Sequence, residues 1–458
     1  MNLFSIAVRN LLFRRLPTML NMLSMALGVA LVVLVLTVSG VIEKTFERTS
    51  NVGYNLIVGS KGSDIQLTFN TVFFLSQPIE NLPYSYYMEF LPADGRQKEY
   101  ERIGGVLKDP ERNGSYSFLM KKDSFAIPMC MGDYVGPFRC VGTTPDYFNR
   151  LRHGNANELE YRFSEGRNFV DYSEENGYFE AVLGFQVANE MKLKIGDEIF
   201  ASHGAAGGEQ HGQGFRIVGI LESTATPNDR GAFVNIEGFY LLEGHVAPDR
   251  DEGSGREKKG TAVAPERESK LSKVRLPIDK REVTSILVKL DGPMAINLQR
   301  PINKTQFAQA VSPIQVITGL LGLFVTPIKW ALLAITSCVC VVSAVSILVG
   351  IYNSMSERKR DIAVMRALGA SRDHITAVIL VESVLIAVVG GSVGWIVGHA
   401  VGPLSNAWTE PATGVRIDFF SINSSAEPYI VPGLILIGIL AGIIPAISAY
   451  RTSVAKSL

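Results

Sequence analysis

Four long stretches without a charged residue constrain this chain more than any other feature of its sequence. They cover residues 16–42, 330–356, 383–409 and 428–450, so the 44 Lys and Arg and the 44 Asp and Glu of the 458-residue chain all lie elsewhere. Each stretch exceeds the ~20 apolar residues that cross a bilayer core. A buried core helix would explain one such run but not four. The sequence therefore predicts a polytopic α-helical membrane protein, and it excludes a soluble enzyme, a nucleic-acid-binding protein and a disordered chain.

The first stretch shares only its basic flank with a secretory signal peptide. Arg9, Arg14 and Arg15 precede it, but it is about twice as long as a signal h-region and ends without a small-x-small cleavage site. We therefore expect a retained first transmembrane helix. The residues before it divide into an apolar and a polar face, which predicts a short amphipathic helix on the inner membrane surface.

Basic residues beside the predicted spans indicate the orientation of the chain. The N-terminus, the loop after the second span and the C-terminal tail together carry ten basic and three acidic residues. Because cytoplasmic loops are enriched in Lys and Arg, these segments and both termini are predicted to be cytoplasmic. The predicted segments are an amphipathic helix at 1–15, a first span at 16–42, an extracytoplasmic domain at 43–313, a stalk with the second span at 314–356, a cytoplasmic loop at 357–375, a third span at 376–404, an outer loop at 405–427, a fourth span at 428–450 and a tail at 451–458.

The large segment between the first and second spans is predicted to fold as a mixed α/β domain outside the membrane. Residues 54–58, 215–221 and 283–290 have strand-like composition, and 180–191 has helical spacing. Residues 245–282 are rich in charge, Gly, Pro and Ser without apolar periodicity, which predicts a flexible charged loop.

Glycine spacing predicts how two of the spans pack. Gly390, Gly394 and Gly398 recur every four residues in the third span, which leaves one smooth helix face for close contact with another helix. His399 is the only histidine within the four charge-free stretches. We expect an interfacial histidine rather than a proton relay at this position. Pro327, near the start of the second span, is expected to kink or end the helix.

Cysteines and histidines of the outer segment leave two alternatives open. Cys130 and Cys140 could form a disulfide in an oxidising compartment, or they could be two small buried residues. His203 and His211, with Glu209 between them, have donor types that suit a metal. Two histidines eight residues apart on a loop are weak support for such a site, so we predict a solvent-facing loop and no metal.

Nucleotide binding is not expected in this chain itself. The sequence contains no Gly-x-x-x-x-Gly-Lys-Ser/Thr phosphate-binding loop. We therefore predict no directly bound cofactor and no enzymatic activity, and any ATP hydrolysis is assigned to a partner.

The most informative segment follows the second span and reads E-R-K-R-D-I-A-V-M-R-A-L-G-A-S at 357–371. Ile362, Met365 and Leu368 form an apolar helical stripe between basic positions, and Gly369 supplies a helix stop. A basic loop on the cytoplasmic side needs only charge, whereas this segment also has the amphipathicity of a short helix that docks into a groove of another protein.

This segment resembles the hallmark of ABC transporter permeases of the macrolide-exporter, lipoprotein-releasing and FtsX-like class. The A-V-R-N-L run at 7–11, the large outer insertion, the three later spans and the C-terminal P-A…Y-R…V-A-K-S-L pattern agree with it. The resemblance implies a permease with four transmembrane helices and a large mixed α/β extracytoplasmic domain between the first and second. It also implies a coupling helix that enters a cytoplasmic ATPase, with Arg358, Asp361 and Arg366 making polar contacts beside the apolar stripe.

The same resemblance implies partners and two possible functions. The chain would lie in a bacterial inner membrane as a homodimer or paired permease with a cytoplasmic ABC ATPase dimer that binds ATP. An extracytoplasmic accessory protein would be a further partner, and no nucleic acid would be bound. The first function is export or extraction of a periplasmic or outer-leaflet substrate, driven by movement of the outer domain. The alternative is an FtsX-like regulator that transports nothing and acts on an extracytoplasmic enzyme.

Overall fold

The computed structural model divides the chain into two units that we describe separately. One unit consists of Met1–Thr45 and Leu320–Leu458, and the other of Phe46–Gly319; we call them the helical unit and the sheet unit. The structure describes residues 3–50, 53–103, 106–121, 123–154, 158–204, 208, 210–242, 271–290, 292–357, 364–366, 369–413, 417–419 and 427–451. Residues 245–270 of the predicted charged loop and 452–458 of the predicted tail lie outside these ranges.

The α-helices are numbered in chain order over the described residues. They are α1 Leu3–Phe13, α2 Arg15–Ser50, α3 Asp64–Phe73, α4 Tyr84–Tyr87, α5 Ala93–Ile103, α6 Asp146–Arg150, α7 Phe185–Met191, α8 Ile236–Tyr240, α9 Gly292–Lys304, α10 Pro313–Leu320, α11 Thr326–Glu357, α12 Arg372–Thr413 and α13 Ile430–Arg451. The long apolar helices α2, α11, α12 and α13 dominate the helical unit.

Four stretches of the described chain are helical and long and apolar enough to cross a membrane. They are Arg15–Glu43, Pro313–Met355, Arg372–Ala407 and Glu427–Tyr450. These stretches overlap the four charge-free runs of the sequence, so the predicted number of candidate spans is confirmed. Apolar side chains remain exposed on them, including Val342 at 65% and Leu436 at 57%, as expected for helices whose outer surface contacts lipid rather than water.

The second candidate span contains a change of helix type where a break was predicted. A π-helical turn, Leu321–Val325, follows α10, and α11 begins at Thr326. Pro327 has no N–H to donate to the carbonyl four residues earlier, and its ring needs room against the preceding turn. A π-helical turn is one way to accommodate such an irregularity. The chain therefore remains helical through Pro327, and the predicted helix end is not found there.

The strands of the described residues all belong to the sheet unit. They are β1 Leu56–Ser60, β2 Leu82–Pro83, β3 Phe125–Val135, β4 Phe138–Thr143, β5 Arg152–His153, β6 Leu159–Glu160, β7 Phe163–Gly166, β8 Glu180–Leu183, β9 Glu198–Ile199, β10 Phe215–Leu221, β11 Gly231–Asn235, β12 Glu282–Val283, β13 Ser285–Lys289 and β14 Ala308–Val311. A ten-stranded mixed sheet has the order β14-β1-β13-β3-β4-β11-β8-β10-β7, with β9 paired to β10. β2 pairs with β12, and β5 with β6.

The main sheet is buried on both faces. On β13, Ile286 and Val288 belong to one apolar cluster and Leu287 to the other. Strands covered on both sides need no apolar–polar alternation, which explains why the alternation within 283–290 is irregular. The prediction of a large mixed α/β domain is confirmed by this sheet and the helices that pack on it.

One predicted helix begins later than its sequence pattern indicates. Residues 180–191 were predicted as a helix throughout, but Glu180–Leu183 form β8 and α7 begins at Phe185. β8 pairs parallel with β10 and antiparallel with β11, and Ala181, Val182 and Leu183 are fully buried. A short apolar run buried on both faces cannot be told from a helix by periodicity alone.

The predicted flexible loop is wrong for its last residues. Leu276 and Ile278 pack into the core, and Glu282 and Val283 pair with β2. Arg281 is 1% exposed, and both terminal nitrogens of its guanidinium group donate to the Glu237 carboxylate at 3.0 and 2.8 Å. A charge-rich stretch can pack in this way when its buried charge finds a partner.

Candidate functional site

A groove of about 730 Å³ lies in the helical unit beside the segment 357–371. Its walls come from α1, the end of α11, the described part of that segment and the first turns of α12. The lining residues are Leu3, Ile6, Arg9, Asn10, Phe13, Arg14, Ser354, Met355, Met365, Gly369, Ala370, Ser371, His374, Ile375, Val378, Ile379 and Glu382. The lining combines apolar side chains with basic Arg9 and Arg14, so it suits an amphipathic partner better than a small polar ligand.

Three of the seven predicted coupling residues are described, and two of them line this groove. Met365 and Gly369 line it, and Arg366 lies between them in sequence. Arg358, Asp361, Ile362 and Leu368 lie outside the described residues. Val364 and Met365 expose 42% and 38% of their surface. The described turn at 364–366 therefore presents apolar side chains outwards, as a docking helix requires.

Gly369 ends this turn in the way that its sequence predicts. Its φ is +100°, in the left-handed region that glycine adopts without strain. The N–H of Gly369 donates to the carbonyl of Arg366 at 3.1 Å, and the N–H of Ala370 donates to that of Met365 at 3.0 Å. This pair of bonds is the Schellman motif that closes helix C-termini.

The next helix starts immediately after this motif and ties the groove to α1. Ser371 Oγ accepts from the N–H of His374 at 3.2 Å and forms a further hydrogen bond with its ring Nδ1 at 2.8 Å, so Ser371 caps α12. Deeper in the groove, Asn10 Nδ2 on α1 donates to Glu382 Oε1 at 2.5 Å. The positions of Asn10, His374 and Glu382 in the groove were not predicted, because the sequence does not show that α1 folds back onto α12.

The predicted glycine face of α12 lies against the backbone of α2. A Cβ atom added at Gly390 would approach the carbonyl oxygen of Met22 to 2.7 Å, and one at Gly398 would approach Cβ of Val33 to 2.8 Å. A Cβ at Gly394 would collide with the carbonyl oxygen of Ala26. The two helices therefore pack backbone to backbone at these positions.

His399 is buried inside the protein. It is 2% exposed, its Nε2 is hydrogen-bonded to Glu427, and Trp395 Nε1 donates to the same Glu427 oxygen at 3.0 Å. Glu427 was assigned to the outer loop, and no sequence pattern connects it to a histidine 28 residues earlier. The contact links α12 to the start of the last candidate span.

Cys130 and Cys140 are both free and buried, so the structure contains no disulfide between them. Cys130 Sγ lies 3.2 Å from both Tyr240 Oη and the carbonyl oxygen of Glu282, within hydrogen-bonding distance of each. Burial raises the pKa of the Cys130 thiol to about 12. A protonated, enclosed thiol of this kind is a packing residue rather than a reactive group.

The structure brings His203 and His211 together on a third residue, Asp133. His211 Nε2 lies 2.9 Å from Asp133 Oδ2, and His203 Nδ1 lies 3.4 Å from Asp133 Oδ1. Asp133 was not predicted, because nothing in its strand sequence marks it as a ligand. Glu209 lies outside the described residues.

Comparisons with known proteins match nearly the whole chain to two family models. The MacB-like periplasmic core domain matches residues 18–295, and the C-terminal part of FtsX-like permeases matches residues 333–454. The first match covers most of α2 and most of the sheet unit, and the second covers most of the remaining helical unit.

Individual relatives are similar over smaller shares. An uncharacterized ABC transporter permease of Methanocaldococcus jannaschii is 24% identical over 306 residues, which are 65% of this chain and 65% of that protein. A macrolide export ATP-binding/permease protein of Bordetella avium is 32% identical over 128 residues, or 27% of this chain and 19% of that protein. Its Escherichia coli counterpart is 32% identical over 105 residues, or 23% and 16%. The chain thus spans 65% of the first relative and less than a fifth of the other two.

Proposed function

The chain belongs to the family of FtsX-like permeases with a MacB-like periplasmic core domain, and from this we propose that it is the permease subunit of an ABC transporter. In this proposal it is a multi-pass protein of a bacterial inner membrane with both termini in the cytoplasm. The sheet unit then lies outside the membrane, and a cytoplasmic ATPase dimer binds two copies of the chain. The concentration of basic residues at the termini and at 357–375 supports this orientation.

The exposed turn at 364–366 is the observation that carries the proposal. Val364 and Met365 point apolar surface outwards beside a groove that also contains Arg9 and Arg14. An isolated soluble surface would gain nothing from exposing two neighbouring apolar side chains on a basic loop. A helix that docks into an ATPase needs both, because apolar contact supplies affinity and basic groups steer and orient the partner.

The proposed mechanism is the transmission of movement rather than passage through a polar tunnel. His399 is the only histidine in the four stretches that lack Asp, Glu, Lys and Arg, and it contacts Glu427 and Trp395. Polar conduits normally place ionisable groups inside the spans. Helix movement along 313–357 offers a route for energy that needs no such group.

Export or extraction of a periplasmic or outer-leaflet substrate is the transport activity that we propose. The Bordetella and Escherichia relatives are named as export proteins, which favours transport over the regulatory alternative. Copurification of the native complex in detergent would identify the ATPase.

Replacing Met365 by Asp tests the docking surface. A carboxylate in an apolar contact with another protein loses its hydration without gaining a partner, so Met365→Asp should lower ATPase binding and permease-stimulated ATP hydrolysis at least tenfold. The measurement is hydrolysis by the reconstituted complex, with ATPase retention on the purified permease measured in parallel. Ile296→Asp is the matched control, because Ile296 is also an exposed apolar helical residue, 51% exposed, but lies on α9 in the sheet unit.

The two variants together separate docking from folding. Normal ATPase binding by Met365→Asp would refute the coupling assignment, and equal losses in both variants would show that any new exposed carboxylate disturbs the complex.

A second experiment tests whether movement is transmitted to the sheet unit. Engineered cysteines that crosslink the sheet units of two copies should stop transport while the ATPase stays bound. Unimpaired transport by the crosslinked complex would refute movement of the sheet unit as the mechanism.

A further inference from the structure

We propose that Asp133, His203 and His211 form a binding site for a divalent transition-metal ion of the Zn²⁺ type in the sheet unit. One ligand atom from each residue lies within 4.8 Å of the other two. Two imidazole nitrogens and one carboxylate oxygen form a donor set that Zn²⁺ binds and that Ca²⁺ and Mg²⁺, which prefer oxygen ligands, do not. This site is independent of the proposed transport function.

An irregularity in β3 aims Asp133 at this position. The pairing of β3 with β4 shifts register between Met131 and Tyr134, so Gly132 and Asp133 lie in a β-bulge. Bulges redirect a side chain out of the regular alternation of a strand and are frequent beside functional sites. Asp133 is only 1% exposed, and a carboxylate so deeply buried needs compensating charge or hydrogen bonds.

Backbone hydrogen bonds on both sides of one loop bring the two histidines to this carboxylate. Ser202 and Tyr134 exchange backbone hydrogen bonds at 2.8 and 3.0 Å, which fixes the residue before His203 beside the bulge. Further along the chain, the N–H of His211 donates to the carbonyl of Ala201 at 2.9 Å. The loop is therefore held at both ends, and each end presents a histidine to the same side chain.

Metal coordination requires the three ligand atoms, which lie within 4.8 Å of one another, to move closer together. Bonds of about 2.0–2.2 Å to a tetrahedral Zn²⁺ place neighbouring ligand atoms about 3.3 Å apart. His203 Nδ1 lies 3.4 Å from Asp133 Oδ1 and His211 Nε2 lies 2.9 Å from Asp133 Oδ2, so each ring is close to one of the two carboxylate oxygens. The His203 side chain is 63% exposed, so it can adjust, and solvent can reach a fourth coordination position. Three protein ligands with one open position are typical of exchangeable or reactive zinc sites.

A simple hydrogen-bonded pair explains the cluster less well. One histidine is enough to satisfy a buried Asp, yet two rings meet here with their centroids 5.9 Å apart and almost perpendicular. Buried Arg139 also interacts with Asp133, but its guanidinium lies over the Tyr134 ring and donates to the carbonyl of Ser76. Arg139 therefore supplies charge at a distance, while both histidines direct nitrogens at the carboxylate.

The test uses the full chain in detergent without an affinity tag, stripped of metal by a chelator. Zn²⁺ is titrated against a competing indicator, Co²⁺ reports coordination through its visible absorption, and Mg²⁺ and Ca²⁺ serve as comparison ions. We expect one Zn²⁺ per chain and a tetrahedral Co²⁺ spectrum. His203→Ala and His211→Ala should each lower Zn²⁺ affinity at least about tenfold, since loss of even an outer-shell partner has an effect of that size.

Two further measurements keep the proposal falsifiable if a variant folds poorly. Zn²⁺ should raise the thermal midpoint of the wild-type chain but not of His203→Ala, whose exposed side chain can be removed without disturbing the core. His374→Ala, which removes an exposed histidine of the helical unit, should leave Zn²⁺ stoichiometry unchanged. A wild-type chain that binds no Zn²⁺, or the same affinity in wild type, His203→Ala and His211→Ala, would overturn the site.

Discussion

The helical unit and the sheet unit are packed by different kinds of contact. In the helical unit, α12 meets α2 through Gly390, Gly394 and Gly398, so backbones touch and large apolar side chains remain outside. In the sheet unit, apolar side chains fill both faces of a ten-stranded sheet. Lipid tails are as apolar as Leu, so helices in a membrane gain by close contact, whereas a domain in water gains by burying apolar surface.

The polar contacts between α2 and α11 differ from those around the buried Glu237 of the sheet unit. In the helical unit, Ser24 and Ser343 hydrogen-bond at 3.0 Å, and Ser346 donates to Asn21 at 3.0 Å, so small neutral groups join α2 to α11. In the sheet unit, the fully enclosed carboxylate of Glu237 is held by guanidinium groups. We conclude that substitutions where α12 meets α2 should test backbone contact in the helical unit, and that substitutions around Glu237 should test buried charge in the sheet unit.

The largest effect is expected from removing a buried charge in the sheet unit. Arg281 binds Glu237 through two hydrogen bonds, and Arg102 lies 3.1 Å from the same carboxylate. Burial acts to raise the pKa of Glu237, but these guanidinium groups outweigh it and hold the pKa below its usual range. Arg281→Ala should therefore lower the free energy of unfolding of the sheet unit by about 3 kcal/mol or more.

The measurement is hydrogen exchange of the amides in β3 and β13, which report on the sheet unit. Arg112→Ala is the control, because it removes a pair with Glu89 in which the Arg112 side chain is 44% exposed, and exposed pairs contribute about 1 kcal/mol or less. Equal effects of Arg281→Ala and Arg112→Ala would show that burial of the charge is not what matters.

A smaller but still large effect is expected from Gly394→Leu in the helical unit. Its side chain would have to displace the α2 backbone at Ala26, whereas Val393 is 49% exposed on another face of the same helix. Gly394→Leu should destabilise the helical unit by about 1–3 kcal/mol and Val393→Leu by much less. The three tryptophans, Trp330, Trp395 and Trp408, all lie in the helical unit, so their fluorescence follows its unfolding. Identical unfolding curves for the two variants would contradict backbone packing at this face.

The smallest effect is expected from lowering the pH, which reduces the stability that Glu89 contributes to the sheet unit. Burial acts to raise the pKa of Glu89, but hydrogen bonds from Arg112 and Ser115 lower it to about 2. A carboxylate with a lowered pKa stabilises the folded state above its unfolded pKa of about 4.3, and this contribution is lost as the pH falls from there towards 2. Solvent screening limits the loss to about 1 kcal/mol. The free energy of unfolding of the sheet unit is measured by denaturant titration at pH 5 and at pH 3, with hydrogen exchange as the readout. The decrease between the two pH values should be smaller for Arg112→Ala than for wild type. An equal decrease would exclude Glu89 as the source of the pH dependence.

Sequence patterns correctly predicted the elements that depend only on neighbouring residues. The charge-free stretches became the four candidate spans, the strand-like run at 215–221 became β10, and Gly369 ends its helix with a positive φ. Hydrophobic length, β-branched composition and the absence of a Cβ atom each act within a few residues. They can therefore be read from a sequence without knowing what packs against them.

Long-range partners were not predictable in this way. β1 pairs with β13 and β14, so Leu56 lies opposite Val288 and Ile57 opposite Val311. The last residues of the predicted charged loop are packed because Arg281 binds Glu237, a contact that the sequence does not show. β8 was predicted as a helix because both of its faces are buried and its residues show no strand alternation. Strand pairing across more than 200 residues is set by the complementarity of whole surfaces rather than by any local signal.

The sequence by itself determined that this chain has four candidate spans, a separate mixed α/β domain and a helix stop at Gly369, because each needs only neighbouring residues. Only the tertiary structure decided which charges are buried, that His399 meets Glu427, and that Asp133 lies between His203 and His211. The physical reason is that a buried polar group is tolerated only beside its partner, and the partner's position depends on the sheet order and on the bulge in β3.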